Sequence, residues 1–179
     1  MSRYERWHRT EHSESTRIAV TLLAAPVFLG LLPFLVACIG PRLDRSLGLP
    51  PLRVGAAGRI LGAVLTATGY SIGVWSVYTQ LDRGRGTPLP MMPTQELLTD
   101  GPFRYCRNPM TLGAILAYLG IAVTAGTGAG IALVASFTTS LLVYLKGLEE
   151  GELAERFGDA YVAYRRSTPF LLPRVPRRQ

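Results

Sequence analysis

The chain has 179 residues, is 48% hydrophobic and carries a net charge of +7. That length allows one domain of ordinary size, residues 1–179. Residues 18–40, 60–81 and 110–145 hold no charged side chain, and three such runs leave too little polar sequence to cover them in water. A soluble protein is therefore excluded, and the fold class expected is all-α and polytopic in a membrane.

The stretch before residue 18 mixes charges of both signs with Trp7, His8 and His12. It reads as a short amphipathic or disordered lead-in at the inner interface, with no catalytic part for either histidine. Residues 18–40 are long enough for the roughly 20 residues a spanning helix needs. Pro26 and Pro33 should kink this span, and Gly40-Pro41 should end it. The run is too long for a cleaved signal peptide and lacks a convincing small-residue cleavage site. Residues 41–58, with Pro50-Pro51, are expected to be irregular.

The second span, residues 60–81, carries Gly58-x-x-x-Gly62 and Gly69-x-x-x-Gly73, spacings that permit close helix approach in lipid. Trp75 and Tyr78 suit an interfacial aromatic belt. Residues 82–93 are too rich in Gly and Pro for regular structure, and Arg83-Gly-Arg-Gly-Thr87 is a weak pointer to an anion-binding loop. The third apolar run supplies two spans, residues 110–125 and 129–146, with the glycines of 124–130 marking a tight turn. Each arm is about 16 residues, or roughly 24 Å at 1.5 Å per residue. Such arms are short for a bilayer, so both helices are expected to continue into flanking polar residues. Arg107-Asn108 and Lys146 to Glu150 would then emerge together on one face. Beyond Glu150, Leu153, Phe157, Tyr161 and Tyr164 recur at helical spacing among charges, and Glu152 and Arg156 stand at i,i+4. This segment reads as a cytoplasmic amphipathic helix bent near Gly158 and closed by Pro169 and Pro173.

Four spans with both termini cytoplasmic put Arg3, Arg6, Arg9, Arg17, Arg83, Arg85, Arg104, Arg107 and the basic C-terminal region inside. Only Arg42, Arg45, Arg53 and Arg59 remain outside. The bias obeys the positive-inside rule and accounts for the net charge without nucleic acid. Membrane lipids with anionic headgroups are the natural partner of that surface. One lysine, Lys146, stands against eighteen arginines, which points to a GC-rich bacterial genome and so to a bacterial inner membrane. Cys38 and Cys106 fall on opposite sides and should not pair, and no spacing marks a metal site.

Two clusters carry candidate chemistry. Pro109 restricts Asn108 to extended backbone and suits the first turn of a helix, which makes Asn108 a plausible cap. With Arg107 beside it, that helix start can receive a carboxylate or phosphate. It can equally be an arginine on lipid phosphate beside a capped span. In Glu149-Glu150 the two side chains lie about 100° apart around a helix, so one can pair with Lys146 or an arginine while the other faces a ligand. A solvated helix start is the plainer reading. Carboxylates opposite Arg107 match a zwitterionic amino-acid group, which S-adenosylmethionine carries together with a ribose diol.

The order of motifs is specific: Gly84-x-Gly86-Thr87-Pro88-x-Pro90, then Leu97-x-x-x-Gly101-Pro-Phe-Arg-Tyr-x-Arg107-Asn-Pro-Met. Glu149-Glu150-x-x-Leu153-x-x-x-Phe157-Gly158-x-x-Tyr161-x-x-Tyr164 and Pro169-Phe-x-x-Pro173 follow. Over residues 84–173 this resembles the bacterial branch of the isoprenylcysteine carboxyl methyltransferase family, with its phospholipid and thiol methyltransferase relatives. The resemblance implies S-adenosylmethionine held at the cytosolic face by the Arg-x-Pro motif, the Glu-Glu pair and the C-terminal helix. It also implies a lipophilic or membrane-soluble acceptor, small molecule or lipid, arriving laterally. Carried onto this sequence, it makes Gly101, Pro102, Tyr105, Arg107, Asn108, Pro109, Glu149, Glu150 and Tyr161 the cofactor-binding candidates. Arg107, Asn108 and Glu150 are the catalytic ones. Asn108 stands where many members have His, and Thr111 where Tyr is common, departures that bear on the acceptor more than on the cofactor. The activity expected is methyl transfer to a carboxylate, thiol or amine. The alternatives are N-methylation of a phospholipid headgroup and a non-catalytic lipid-binding scaffold. No nicotinamide fingerprint supports a reductase.

Overall fold

The computed structural model describes residues 13–87 and 94–175. The lead-in with Trp7, His8 and His12 lies outside these, as do Pro88, Pro90 and Pro93. Among the described residues every regular element is helical. Helix α1 spans Glu14–Pro26 and α2 Leu32–Ser46, joined by a π-helical turn, Val27–Leu31. Helix α3 spans Ala56–Asp82, α4 Pro109–Thr124, α5 Gly128–Tyr144 and α6 Glu150–Ser167. A 3-10 turn, Gly101–Arg104, precedes α4, and a second π turn, Leu145–Glu149, links α5 to α6.

Three continuous helical stretches are long and apolar enough to cross a membrane: Glu14–Ser46, Ala56–Asp82 and Gly128–Ser167. The polytopic all-α fold is thus present. Helix α4 is a shorter apolar helix, and it does not run back into Arg107-Asn108 as expected. Pro109, at its first position, has no N–H to extend the helix backwards. Its 16 residues span about 24 Å, against a hydrocarbon core of about 30 Å. At the other arm the helix does continue past Lys146.

The first span also departs from expectation, because Gly40-Pro41 does not end it. Helix α2 carries Pro41 internally and runs to Ser46. The last turn is fixed from outside: buried Asp44 accepts a hydrogen bond through Oδ1 from the Ala129 N–H at 2.8 Å, at the start of α5. Tertiary anchoring outweighs the helix-breaking tendency of the proline. Between Pro26 and Pro33 the helix relaxes into its π turn, and Pro33 leaves carbonyls without their usual donors. The Tyr118 hydroxyl donates to the Phe28 carbonyl at 2.8 Å, and the Tyr70 hydroxyl reaches that of Leu29 at 3.5 Å. In lipid such carbonyls must be satisfied by neighbouring helices.

Helices α3 and α4 meet backbone to backbone. A Cβ at Gly69 would lie 2.4 Å from the Gly113 carbonyl oxygen, and one at Gly62 would lie 2.7 Å from that of Gly120. The reverse holds for Gly113 against Gly69 and Gly120 against Gly62, at 2.6 and 2.4 Å. The seam uses glycines seven apart on both helices. Gly58 stays out of it, whereas Gly73 takes part through its backbone alone: a Cβ at Gly113 would lie 2.9 Å from the Gly73 nitrogen, while one at Gly73 would meet nothing within 4 Å. Val36, Ala117, Tyr118, Ala122 and Val134 form the adjoining core.

Candidate active site

The end of α3, the 3-10 turn, the start of α4, the second π turn and α6 converge at one end of the molecule. The chain beyond α6 closes the group. The Arg107 N–H donates to the Pro169 carbonyl at 2.9 Å, and the Arg174 N–H to that of Tyr105 at 3.0 Å. Residues 168–174 are thereby strapped across the segment before α4. Gly158, at φ 53°, bends α6 so that its second half returns toward this strap.

Arg107 is the centre of the cluster. Its Nη1 is paired with the Glu150 carboxylate and donates to the Tyr161 hydroxyl at 3.3 Å, while Nε donates to the Thr168 carbonyl at 3.1 Å. Only 11% of the Arg107 side chain and 13% of that of Glu150 remain exposed, so the pair is held in a largely desolvated setting. The guanidinium also lies over the Phe170 ring, 5.4 Å from its centroid. Its Nη2 makes no hydrogen bond with a described residue.

Asn108 occupies the cap position of α4, but its side chain does not cap the helix. Its Nδ2 donates instead to the Phe170 carbonyl at 3.0 Å. The strap offers the amide nitrogen a fixed carbonyl acceptor, and turning toward it in a half-buried site takes the side chain away from the helix N–H groups. The expected position is right, and the role is a different one.

Glu149 and Glu150 separate as their helical spacing requires. Glu150 is taken by Arg107, whereas no described residue forms a hydrogen bond or ion pair with Glu149. Lys146 is exposed and pairs with neither. Burial, then the neighbouring Glu152 and Glu150 charges, raise the Glu149 pKa above its ordinary 4.5. Burial likewise raises that of Tyr161, against the opposing hydrogen bond from Arg107.

These groups open onto a narrow cleft of about 80 Å³, tighter than the roughly 300–1,000 Å³ of ligand-filled small-molecule sites. Arg107, Asn108, Glu149, Glu150 and Tyr161 all line it. Gly101, Pro102, Tyr105 and Pro109 do not; they build its frame. Gly101, at φ 54°, lets the chain pass against Thr79, and Pro102 is buried in the 3-10 turn. The Tyr105 ring packs on Trp75 at 6.3 Å between centroids, and Pro109 is fully buried. Sequence reasoning missed Gln80, Thr94 and Leu98 in the cleft wall. For Gln80 the available signal was an amide near the end of an otherwise uncharged span.

Arg83 pairs with Asp100, and Arg85 with Glu96 at 3.6 Å. The arginines of the glycine-rich loop thus sit on carboxylates of the chain itself rather than on the cleft. Arg156 turns to the Thr94 carbonyl at 2.6 Å instead of closing an ion pair with Glu152.

A family model described as phospholipid methyltransferase matches residues 57–160, from the first turn of α3 into α6. The chain belongs to that family. The match takes in Arg107, Asn108, Glu149 and Glu150, and stops just short of Tyr161 and the strap. No curated protein gives a significant match. Membership makes this chain a membrane methyltransferase, in agreement with the family resemblance read from its motifs.

Proposed function

We propose that this methyltransferase uses S-adenosylmethionine and methylates a lipophilic acceptor that reaches the cleft from the membrane. The observation that carries the reading is the division of labour in Glu149-Glu150. One carboxylate is locked to Arg107, and the other faces the cleft without a partner among the described residues. The donor set fits the cofactor. Arg107 Nη2 and the unsatisfied N–H groups at the start of α4 suit a carboxylate. Glu149 suits an ammonium group or a ribose diol, and Leu97, Leu145 and Leu153 supply apolar wall.

When bound, the cofactor supplies an electrophilic methyl carbon on a sulfonium. Transfer of that methyl to an acceptor lone pair would be an in-line displacement with the thioether as leaving group. The protein's share is positioning, which can account for much of the rate of such an in-line displacement. Arg107 is held rigidly by Glu150, Tyr161 and the strap, so its remaining donor is pre-aimed. Tyr161 and Asn108 keep that arrangement in register.

A carboxylate or thiolate acceptor requires no base. An amine must lose a proton, and Glu149 is better suited to take it than Glu150, whose charge is engaged by Arg107. The raised basicity of Glu149 and the family match favour the headgroup amine of a phospholipid as the second reading of the acceptor. Purified protein in lipid, incubated with methyl-labelled cofactor and membrane extract, should transfer label to an extractable lipophilic product. Absence of both transfer and S-adenosylhomocysteine binding in folded protein would leave the scaffold reading. We further place both termini in the cytoplasm, supported by the arginine bias. Single cysteines at Arg45 and Ser167 should be labelled from opposite sides, and labelling from one side only removes this topology.

A further inference from the structure

One polar group in the cleft is used by nothing described so far. The Gln80 side chain lines the cleft from the end of α3, its Oε1 is buried, and it has no hydrogen-bond partner. No other described residue bonds its amide nitrogen either. Buried polar atoms are as a rule satisfied, so an orphan in a cavity wall calls for a missing partner. The position is also rigid. The Gln80 carbonyl accepts from the Gly86 N–H at 3.4 Å, and a Cβ at Gly84 would come within 2.8 Å of that oxygen. The backbone under the amide is therefore pinned by the turn that follows it.

We propose that Gln80 reads the edge of a purine base, the adenine of the bound cofactor, through both ends of its carboxamide. The inference rests on the cofactor reading above and assigns a specificity-determining residue within it. Two features favour a neutral heteroaromatic edge over a cationic headgroup. A carboxamide offers one acceptor and one donor side by side, the pattern that pairs with adenine's amino group and N7, where hypoxanthine presents two acceptors. An ammonium would gain more from the free Glu149 carboxylate in the same cleft than from a neutral amide. Leu97, Leu98 and Leu153 also line the cleft, giving apolar surface for the faces of a flat ring.

The test compares S-adenosylhomocysteine with S-inosylhomocysteine by calorimetry on the full chain in lipid nanodiscs. The inosyl analogue replaces the amino donor by an oxo acceptor and carries a ring N–H. Wild type should prefer the adenosyl ligand by about tenfold or more, the scale of one well-placed bidentate contact. Gln80→Met, similar in size but apolar, should bring the two affinities close together. Gln80→Leu, also apolar, should do the same, and it carries the test if the Met variant does not fold. A Met or Leu variant that keeps the wild-type preference overturns the assignment while the cofactor reading stands. Loss of affinity for an amine-bearing lipid, with that preference intact, overturns it in favour of the headgroup. Failure of wild type to bind either nucleoside removes both readings at once.

Discussion

The glycine seam between α3 and α4 and the cleft at the end of α3 are built on opposite strategies. In the seam, side chains are absent where the helices touch, and Gly62, Gly69, Gly113 and Gly120 bring the backbones together. In the cleft, side chains do nearly all the joining, and they join segments far apart in sequence, Arg107 to Glu150, Tyr161 and Thr168. The seam has no tolerance for added atoms and no group with chemistry to offer. The cleft has free donors and acceptors because its ion pair fixes one set and leaves another. Rigidity in the first supports the polar groups of the second, since α3 reaches the cleft with Gln80 and the residues leading into α4, Arg107 and Asn108, line it.

Arg107→Ala should break this division most severely. Removing one partner of a largely buried ion pair costs about 3–5 kcal/mol, so both thermal stability in detergent and S-adenosylhomocysteine affinity should fall. Arg107→Lys should recover only part of the binding, because an ammonium lacks the planar fork. Undiminished affinity in the Ala variant would remove Arg107 from the site.

Glu149→Gln should separate function from stability. Losing a hydrogen bond to a charged group should weaken ligand binding by about 1.5–3 kcal/mol. The fold itself should gain. Glu149 has a raised pKa, so at neutral pH its ionised form is less favourable in the folded than in the unfolded protein, and its removal relieves that cost. By the same sign, wild-type affinity should decline as pH falls through the raised pKa, above the ordinary 4.5. The Gln variant should lack that step. A coincident decline in both proteins would assign the titration elsewhere.

Gly69→Ala should do the reverse. A methyl group facing backbone at 2.4 Å is overpacking of the kind that costs about 1–3 kcal/mol. Unfolding should come earlier, while the fraction still folded binds ligand as wild type does. A shift in affinity without a shift in stability would mean that the seam acts on the cleft directly. Gly73→Ala, with open space around its Cβ, should stabilise α3 by up to about 1 kcal/mol through helix propensity. Destabilisation there would show a contact absent from this packing.

The parts of this molecule governed by composition were legible in the sequence. Uncharged runs gave the helical membrane class. The glycine-rich stretch at residues 124–130 gave its turn, because positive φ at Gly126 is what a glycine there supplies. The separation of Glu149 from Glu150 followed from helical geometry alone. What stayed hidden depended on tertiary partners. Pro41 reads as a stop until Asp44 is seen holding the helix from beyond it. Asn108 reads as a cap until the Phe170 carbonyl of the strap is seen drawing its amide nitrogen away from the helix end. Within the two Gly-x-x-x-Gly motifs, only the approach of α4 decides that Gly62 and Gly69 have no room for a Cβ and Gly73 does. Gln80 could not be singled out because an amide near a helix end has ordinary reasons to be there.

The strap has a consequence for biogenesis. The carbonyls of Thr168, Pro169 and Phe170 that hold Arg107 and Asn108 are made about sixty residues after them. During synthesis α3 and α4 can insert and seal their seam while Arg107 still lacks its carboxylate, its hydroxyl and its carbonyls. The cleft end is complete only when α6 has left the ribosome and folded back. An arrested or clipped chain would therefore sit in the bilayer as a well-packed helical body without a site, and methyl transfer would begin only with the finished protein.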